Sequence, residues 1–241
     1  MQRTAVILAS VALVGSIARV SASEPERRDL AAIKEQQNSA TPAEVWQWLK
    51  EGNERFVTGH KKSRDISHDR KVTAAGQYPR AIILSCIDSR APAELIFDVG
   101  LGDLFNARVA GNIVDADLAG SIEYACKVAG AKLVLVMGHT SCGAVKGVCD
   151  NVELGNLSGL LEKIKPAVAA VGGVPGDHNS KNHNFVEAVA EANVRLTVEK
   201  IREVSPILAE MERDGKIQIV GSIYDLVTGR VKILPATNAS N

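Results

Sequence analysis

Two short runs hold most of the reactive side chains of this chain: Cys86-Ile87-Asp88-Ser89-Arg90 and Gly138-His139-Thr140-Ser141-Cys142-Gly143. Cys86, His139 and Cys142 offer two thiolates and one imidazole, a donor set that zinc favours in tetrahedral sites. Three protein donors leave a fourth position for water, which separates a catalytic zinc from a structural one. Asp88, two residues from Cys86, is the candidate to fill that fourth position, or to turn away and pair with Arg90. One carboxylate with two such partners would switch a metal between blocked and open. Three rival readings stand beside this one. Cys86 and Cys142 could form a disulfide in an oxidising compartment, or act as a redox pair, which the lack of a Cys-x-x-Cys spacing weakens. A metal saturated by protein donors would bind without turnover. Soft donors in both runs, with an acid and a guanidinium beside one of them, favour metal over disulfide.

Both runs follow segments that read as buried strands. Ala81-Ile82-Ile83-Leu84-Ser85-Cys86 is a short, continuous apolar run, and so is Lys132-Leu133-Val134-Leu135-Val136-Met137. In open α/β sheets ligands gather at the carboxyl ends of the strands, where both runs fall. Leu104 to Val109 is a further strand candidate. Ile217 to Ile223 is another, leading through Thr228-Gly229 into Val231-Lys232-Ile233-Leu234 as a hairpin. Between them, residues 117–129 read as a helix with Leu118, Ile122, Ala125 and Val128 on one face, ended by Gly130. Thr41-Pro42-Ala43-Glu44 is a capping-box start for a helix to about residue 57. Asn182 to Val204 is a long helix, and Ser205-Pro206 caps another that stops at Gly215. Residues 23–40 look like a linker or loosely docked arm, and 58–76 like a basic loop with a short helix. Strands alternating with helices predict a single α/β domain with a mostly parallel sheet.

The chain has 241 residues, 46% hydrophobic and only 4% aromatic, enough for one aliphatic core. Its 28 basic and 28 acidic residues cancel, which leaves no electrostatic footprint for nucleic acid. Arg3, the apolar stretch Thr4 to Ala18 and the small residues Val20-Ser21-Ala22 read as a secretory signal peptide over 1–22, cleaved near Ala22. Arg19 interrupts the apolar run too early for a comfortable membrane span, so no span is expected in the mature chain. Cleavage removes two arginines and no acid, leaving a mildly acidic, exported protein, periplasmic in a bacterium. Cys126 and Cys149 fit neither run and are expected as buried apolar residues, with a bridge between them as the minor alternative.

The two runs together, Cys86-x-Asp88-x-Arg90 and His139-x-x-Cys142-Gly143, resemble the paired signature of the β-class carbonic anhydrases. The likeness extends over roughly residues 40 to 235. Gln77, nine residues before Cys86, matches that family's active-site glutamine. Ala91-Pro92-Ala93-Glu94, Arg108-Val109-Ala110-Gly111-Asn112, Gly221-Ser222-Ile223-Tyr224-Asp225 and Thr228-Gly229-Arg230 match further family segments. The resemblance implies a four- or five-stranded, chiefly parallel sheet flanked by helices. It also implies an N-terminal helical dimerisation arm, here the helix from Thr41 with Trp46 and Phe56, and a homodimer or homotetramer with active sites between subunits. It implies one zinc ion per chain, held by Cys86, His139 and Cys142, and reversible hydration of carbon dioxide to bicarbonate and a proton by zinc-bound hydroxide. Bound zinc brings the pKa of its water from about 15.7 to about 7. Asp88 would orient the hydroxide, Arg90 would keep Asp88 ionised, and Gln77 would hold a substrate oxygen, with the Gly111 N–H offered to the same oxygen. The motifs would serve carbon disulfide or carbonyl sulfide equally well. Members controlled by bicarbonate carry a tryptophan where this chain has Ile83, although Arg108 matches the arginine of that regulatory site. The departure argues against that regulation. Residues 236–241 form a short C-terminal tail.

Overall fold

The computed structural model describes residues 25–235. The expected leader at 1–22 and the tail at 236–241 lie outside the described residues. Five strands form one sheet in the order β2-β1-β3-β4-β5. They are β1 (Ala81–Ser85), β2 (Leu104–Arg108), β3 (Leu133–His139), β4 (Gln218–Tyr224) and β5 (Val231–Ile233). The first four run parallel, and β5 returns antiparallel to β4 through the expected hairpin. β1 and β3 are central and buried at every position, as unbroken aliphatic runs require when helices cover both faces.

Alternation along the strands sorts their side chains between two layers. Ile82, Leu84, Val134 and Val136 face Val194, Val198 and Ile201 of α9 (His183–Val204) and Leu208 of α10 (Pro206–Arg213). Ala81, Ile83, Leu133, Leu135 and Met137 face Val45 and Leu49 of α2 (Pro42–Thr58), together with Ile96 and Phe97. α2 begins with the anticipated capping box, Thr41 accepting from the Glu44 N–H and Glu44 accepting from the Thr41 N–H. Trp46 and Phe56 pack, half-buried, against this chain's own core. Among the described residues no helix is long and apolar enough to cross a membrane.

Several segments differ from expectation. Residues 30–39 are not a linker: Asp29 caps α1 (Leu30–Ser39), which buries Ile33 and Gln37. The Gln37 amide donates to the carbonyls of Pro79 and Ala129, each at 2.7 Å, satisfying two acceptors that loops beside the sheet leave open. Past α3 (Ile66–Thr73), α4 (Ala93–Ile96) and α5 (Ala116–Glu123), the chain widens into a π-helical turn over Tyr124–Val128. The extra residue in that turn shifts the helical phase, so Cys126 is buried while Val128, expected in the core, is 71% exposed. Burial pushes the Cys126 thiol up to about 12. The short helices α4, α6 (Gly143–Cys149), α7 (Gly155–Glu162) and α8 (Lys165–Ala170) carried too little periodicity to be read from the chain.

Two glycines on neighbouring strands let α9 lie close to the sheet. A Cβ on Gly138 would meet Val194 Cγ2 at 2.6 Å, and one on Gly221 would meet Val194 Cγ1 at 2.6 Å. Neither neighbour is the free end of a long side chain, so the helix itself would have to move. Gly138→Ala is therefore expected to destabilise the fold by about 1–3 kcal/mol, seen as a lower urea midpoint. An unchanged midpoint would mean that the close packing of Val194 is not a constraint.

Candidate metal centre

Parallel pairing places the last residues of β1 and β3 side by side, with Ser85 opposite Met137. Cys86 leaves the end of β1, His139 ends β3, and Cys142 follows a tight turn. Their donor atoms all lie within 4.8 Å of one another, and all three residues are buried. The sulfurs of Cys86 and Cys142 are 4.0 Å apart and both thiols are free. That is far beyond the roughly 2.05 Å of a disulfide bond. Two sulfurs each about 2.3 Å from a tetrahedral ion would stand about 3.8 Å apart, so the observed spacing suits a shared metal. Cys126 and Cys149 are likewise free and buried.

The imidazole supplies a second test of fit. His139 Nδ1 lies 2.9 Å from the carbonyl of Thr140, which holds Nδ1 as the protonated nitrogen and leaves a lone pair on Nε2. Nε2 is buried and without a hydrogen-bond partner among the described residues. An orphaned acceptor beside two thiols is what a missing cation would explain, since burying such a group alone costs about 1–3 kcal/mol.

Electrostatics at the two sulfurs follow from their closeness. Hydrogen bonding from Cys142, against the cost of burial and with a smaller contribution from the Gly111 N–H, draws the Cys86 thiol down. The Cys86 thiolate in turn pushes Cys142 up. Without a cation the pair carries one negative charge; a divalent ion would let both ionise. Burial, the largest influence, works against a charged His139, but the negative charges of Cys86 and Asp88 and the Thr140 carbonyl together move the imidazole upward.

Asp88 stands apart from the three donors. Its Oδ1 accepts from Arg90 Nε at 2.9 Å and its Oδ2 from Arg90 Nη2 at 2.8 Å, and the Arg90 backbone N–H adds a third bond at 2.9 Å. Oδ2 remains 3.9 Å from His139 Nε2. The carboxylate is therefore held at the rim of the cluster and not within it. The Arg90 side chain, opposed by partial burial, keeps it ionised well below the usual carboxylate range.

Two expected substrate contacts are placed differently. The Gly111 N–H points at Cys86 Sγ, 3.5 Å away, and is not free for a substrate oxygen. Gly111 has a φ of 71°, and a Cβ there would lie 2.5 Å from Ile164 Cδ1, so only glycine brings that N–H to the sulfur. Gln77 is exposed and precedes β1, whereas Cys86 follows it. A five-residue strand spans about 16 Å, so Gln77 does not join its own chain's cluster.

Side chains outside the two signature runs fix the backbone beneath them. Arg108 Nε donates to the Cys86 carbonyl at 2.9 Å and Arg108 Nη2 to the Asp88 carbonyl at 2.6 Å. Ile83, which stands where bicarbonate-controlled members carry tryptophan, is fully buried in the sheet. Glu187 on α9 accepts the Ser141 N–H at 2.9 Å, where Ser141 adopts a φ of 55° to turn the chain from His139 to Cys142. Asn193, one turn and a half further along α9, donates to the Gly111 carbonyl at 2.7 Å. The position of Arg108 at a strand's carboxyl end could have marked it by the same rule that marked Cys86. Glu187 and Asn193 carried no such signal, lying in a long helix far from either run.

A parallel sheet whose carboxyl edge gathers two thiols and an imidazole defines a protein of the open α/β type with a built metal site. Comparison with known proteins narrows the class. The family model described as carbonic anhydrase matches residues 81–231. Carbonic anhydrase 2 of Mycobacterium tuberculosis is 39% identical over 199 residues, covering 80% of this chain and 92% of the relative. The carbonic anhydrase of Mycolicibacterium smegmatis is 36% identical over 202 residues, covering 81% and 94%. Among solved structures, one from a study of two tetrameric β-carbonic anhydrases of Sordaria macrospora superposes with a TM-score of 0.61 at 26% identity, covering 70% of this chain and 86% of that one. The chain belongs to the carbonic anhydrase family, in its β class, and is an enzyme of that activity.

Glu187 touches none of the three donors, yet it fixes the turn between two of them. Glu187→Ala is expected to weaken metal retention by about 10–100-fold, the usual effect of losing an outer-shell partner, read by competition with a chelator. Retention equal to that of the parent would deny Glu187 this role.

Proposed function

We propose that this chain is a zinc enzyme that interconverts carbon dioxide and bicarbonate, with Cys86, His139 and Cys142 as its metal ligands. The observation that carries the reading is the buried three-donor cluster with Asp88 drawn aside by Arg90. Three donors, with the nearest carboxylate engaged elsewhere, leave one tetrahedral position for a reactant. Zinc held there would supply a nucleophile near neutral pH by making a coordinated water acidic.

The remaining work falls to side chains of the chain. Asp88 Oδ2 is the acceptor for a proton directed out of the cluster, and its ionisation persists because Arg90 contributes two side-chain hydrogen bonds and a positive charge. Since Asp88 is held far below its ordinary range, an acid limb of activity near neutral pH would belong to another group. Arg108 holds the carbonyls of Cys86 and Asp88, keeping sulfur and carboxylate in a fixed relation. Burial of the three donors shields the cluster itself from bulk water, while the Arg90–Asp88 pair at its rim stays open to solvent.

Assembly and location form part of the same proposal. Gln77 can serve the reaction only from a second copy of the chain, because it lies at the opposite end of β1 from Cys86. A homo-oligomer supplies that copy, and the Sordaria macrospora relatives are described as tetrameric. Export to the periplasm rests on the signal-like sequence of residues 1–22 alone.

A stopped-flow assay on zinc-loaded protein is expected to show carbon dioxide hydration that is lost on chelation and restored by zinc. Asp88→Ala should keep the metal but lose most turnover, by about 10²-fold, because the hydrogen-bond acceptor that orients the reactant is gone. Parental rates across pH in Asp88→Ala would remove the role assigned to Asp88. Zinc-loaded protein without hydration activity would remove the proposed reaction.

A further inference from the structure

A second polar cavity lies at the amino ends of the strands, on the far side of the sheet from the metal centre. It encloses about 360 Å³ beneath α1, between Ile33, Trp48 and the Arg80 that precedes β1. That volume is at the small end of the range of about 300–1,000 Å³ typical of small-molecule sites.

Most of the charges on its wall are already matched. Asp98 takes Arg55 at 2.6 Å and also the Arg64 guanidinium. Asp103 takes Arg28 at 3.0 Å and the Gly100 N–H at 2.7 Å. Arg80 is different. Its guanidinium is stacked on Trp48, 3.4 Å from the ring centroid, and its side chain is only 16% exposed. Among the described residues it donates no side-chain hydrogen bond, and Asp103, the carboxylate that approaches it, stays 4.0 Å away. Burial, the largest influence, lowers its pKa and Arg28 adds to this, while Asp103 and, less strongly, Glu26 oppose it.

The backbone allows Arg80 little freedom to relieve this. Its N–H donates to the Asp103 carbonyl and its carbonyl accepts from the Lys132 N–H, each at 2.9 Å, tying it to the chain before β2 and before β3. One face of the guanidinium is covered by Trp48, both side chains line the cavity, and the N–H fork is unengaged among the described residues. A guanidinium pinned in this way matches a planar carboxylate in a bidentate pair.

We propose that this cavity is a binding site for a small carboxylate ligand, held by Arg80 against Trp48 and roofed by α1. Arg27 also lines the cavity without a carboxylate partner among the described residues but is exposed to solvent, so the buried wall holds one largely uncompensated charge, which suits a planar monoanion better than a phosphate dianion. The occupant would connect α1, α2 and the sheet, and the site is independent of the reaction proposed for the metal centre.

The chain contains two tryptophans, so the full-length, metal-loaded protein should give two indole N–H resonances, assignable with Trp46→Phe. Titration with acetate is expected to shift the Trp48 resonance along a saturating curve. Arg80→Gln should abolish saturation while leaving the basal hydration rate unchanged. Arg80→Lys keeps the charge but not the fork and should bind at least about 10-fold more weakly, which decides the matter if the glutamine variant does not fold. A linear drift without saturation, an unaltered curve in Arg80→Gln, equal binding by Arg80→Lys, or tighter binding of inorganic phosphate than of acetate would each overturn the proposal.

Discussion

Three electron-pair donors buried within 4.8 Å of one another make an arrangement that fits a cation. Two sulfurs at 4.0 Å cannot both ionise comfortably, and among the described residues no protein donor faces the lone pair of His139 Nε2. A buried, unpartnered ring nitrogen beside two thiols is the kind of exception in a native fold that a bound ion explains. The rest of the structure can be understood as the scaffold that holds these atoms together. Parallel strands bring two chain segments, 53 residues apart from Cys86 to His139, to one edge of the sheet. The turn through Ser141 then returns Cys142 to the same point.

That scaffold relies on residues of small size and on a few long-range hydrogen bonds. Gly138 and Gly221 let α9 approach the sheet, and α9 in turn carries Glu187 to the Ser141 N–H and Asn193 to the Gly111 carbonyl. Gly111, in a left-handed conformation closed to larger residues by Ile164, directs its N–H to Cys86. Arg108 grips the strand end from the neighbouring β2. Each interaction is modest alone, about 1 kcal/mol for a neutral hydrogen bond and up to about 3 where a charge takes part. Together they leave the ligands little room to adopt another geometry, which is what metal selectivity and catalysis both need.

Much of this was legible in the chain. Unbroken aliphatic runs marked β1 and β3, because strands covered on both faces need no alternation. The polar residues just beyond those runs marked the site, because strand ends are where such sheets bind ligands. Capping chemistry at Thr41 and Ser205 marked the starts of α2 and α10, and the long helical stretch expected from Asn182 matches α9. What escaped detection depends on contacts between distant segments. Val128 was misplaced because a π-helical turn breaks the 3.6-residue rhythm. The docking of α1 rests on two carbonyl contacts by Gln37, which no local pattern discloses. Gly111 could be recognised as special, but its partner, a sulfur and not a substrate, is set by tertiary geometry. Gln77 matched the family motif while lying at the wrong end of its own strand, a mismatch that one chain cannot resolve and an assembly can.

X-ray absorption at the zinc edge of the purified protein tests the central claim most directly, because it counts and identifies the atoms around the ion. The account predicts two sulfur neighbours at about 2.3 Å and two lighter neighbours, one imidazole nitrogen and one exchangeable oxygen, at about 2.0–2.1 Å. Protein that carries no stoichiometric metal, or a shell lacking both sulfurs because Cys86 and Cys142 have joined in a disulfide, would contradict it.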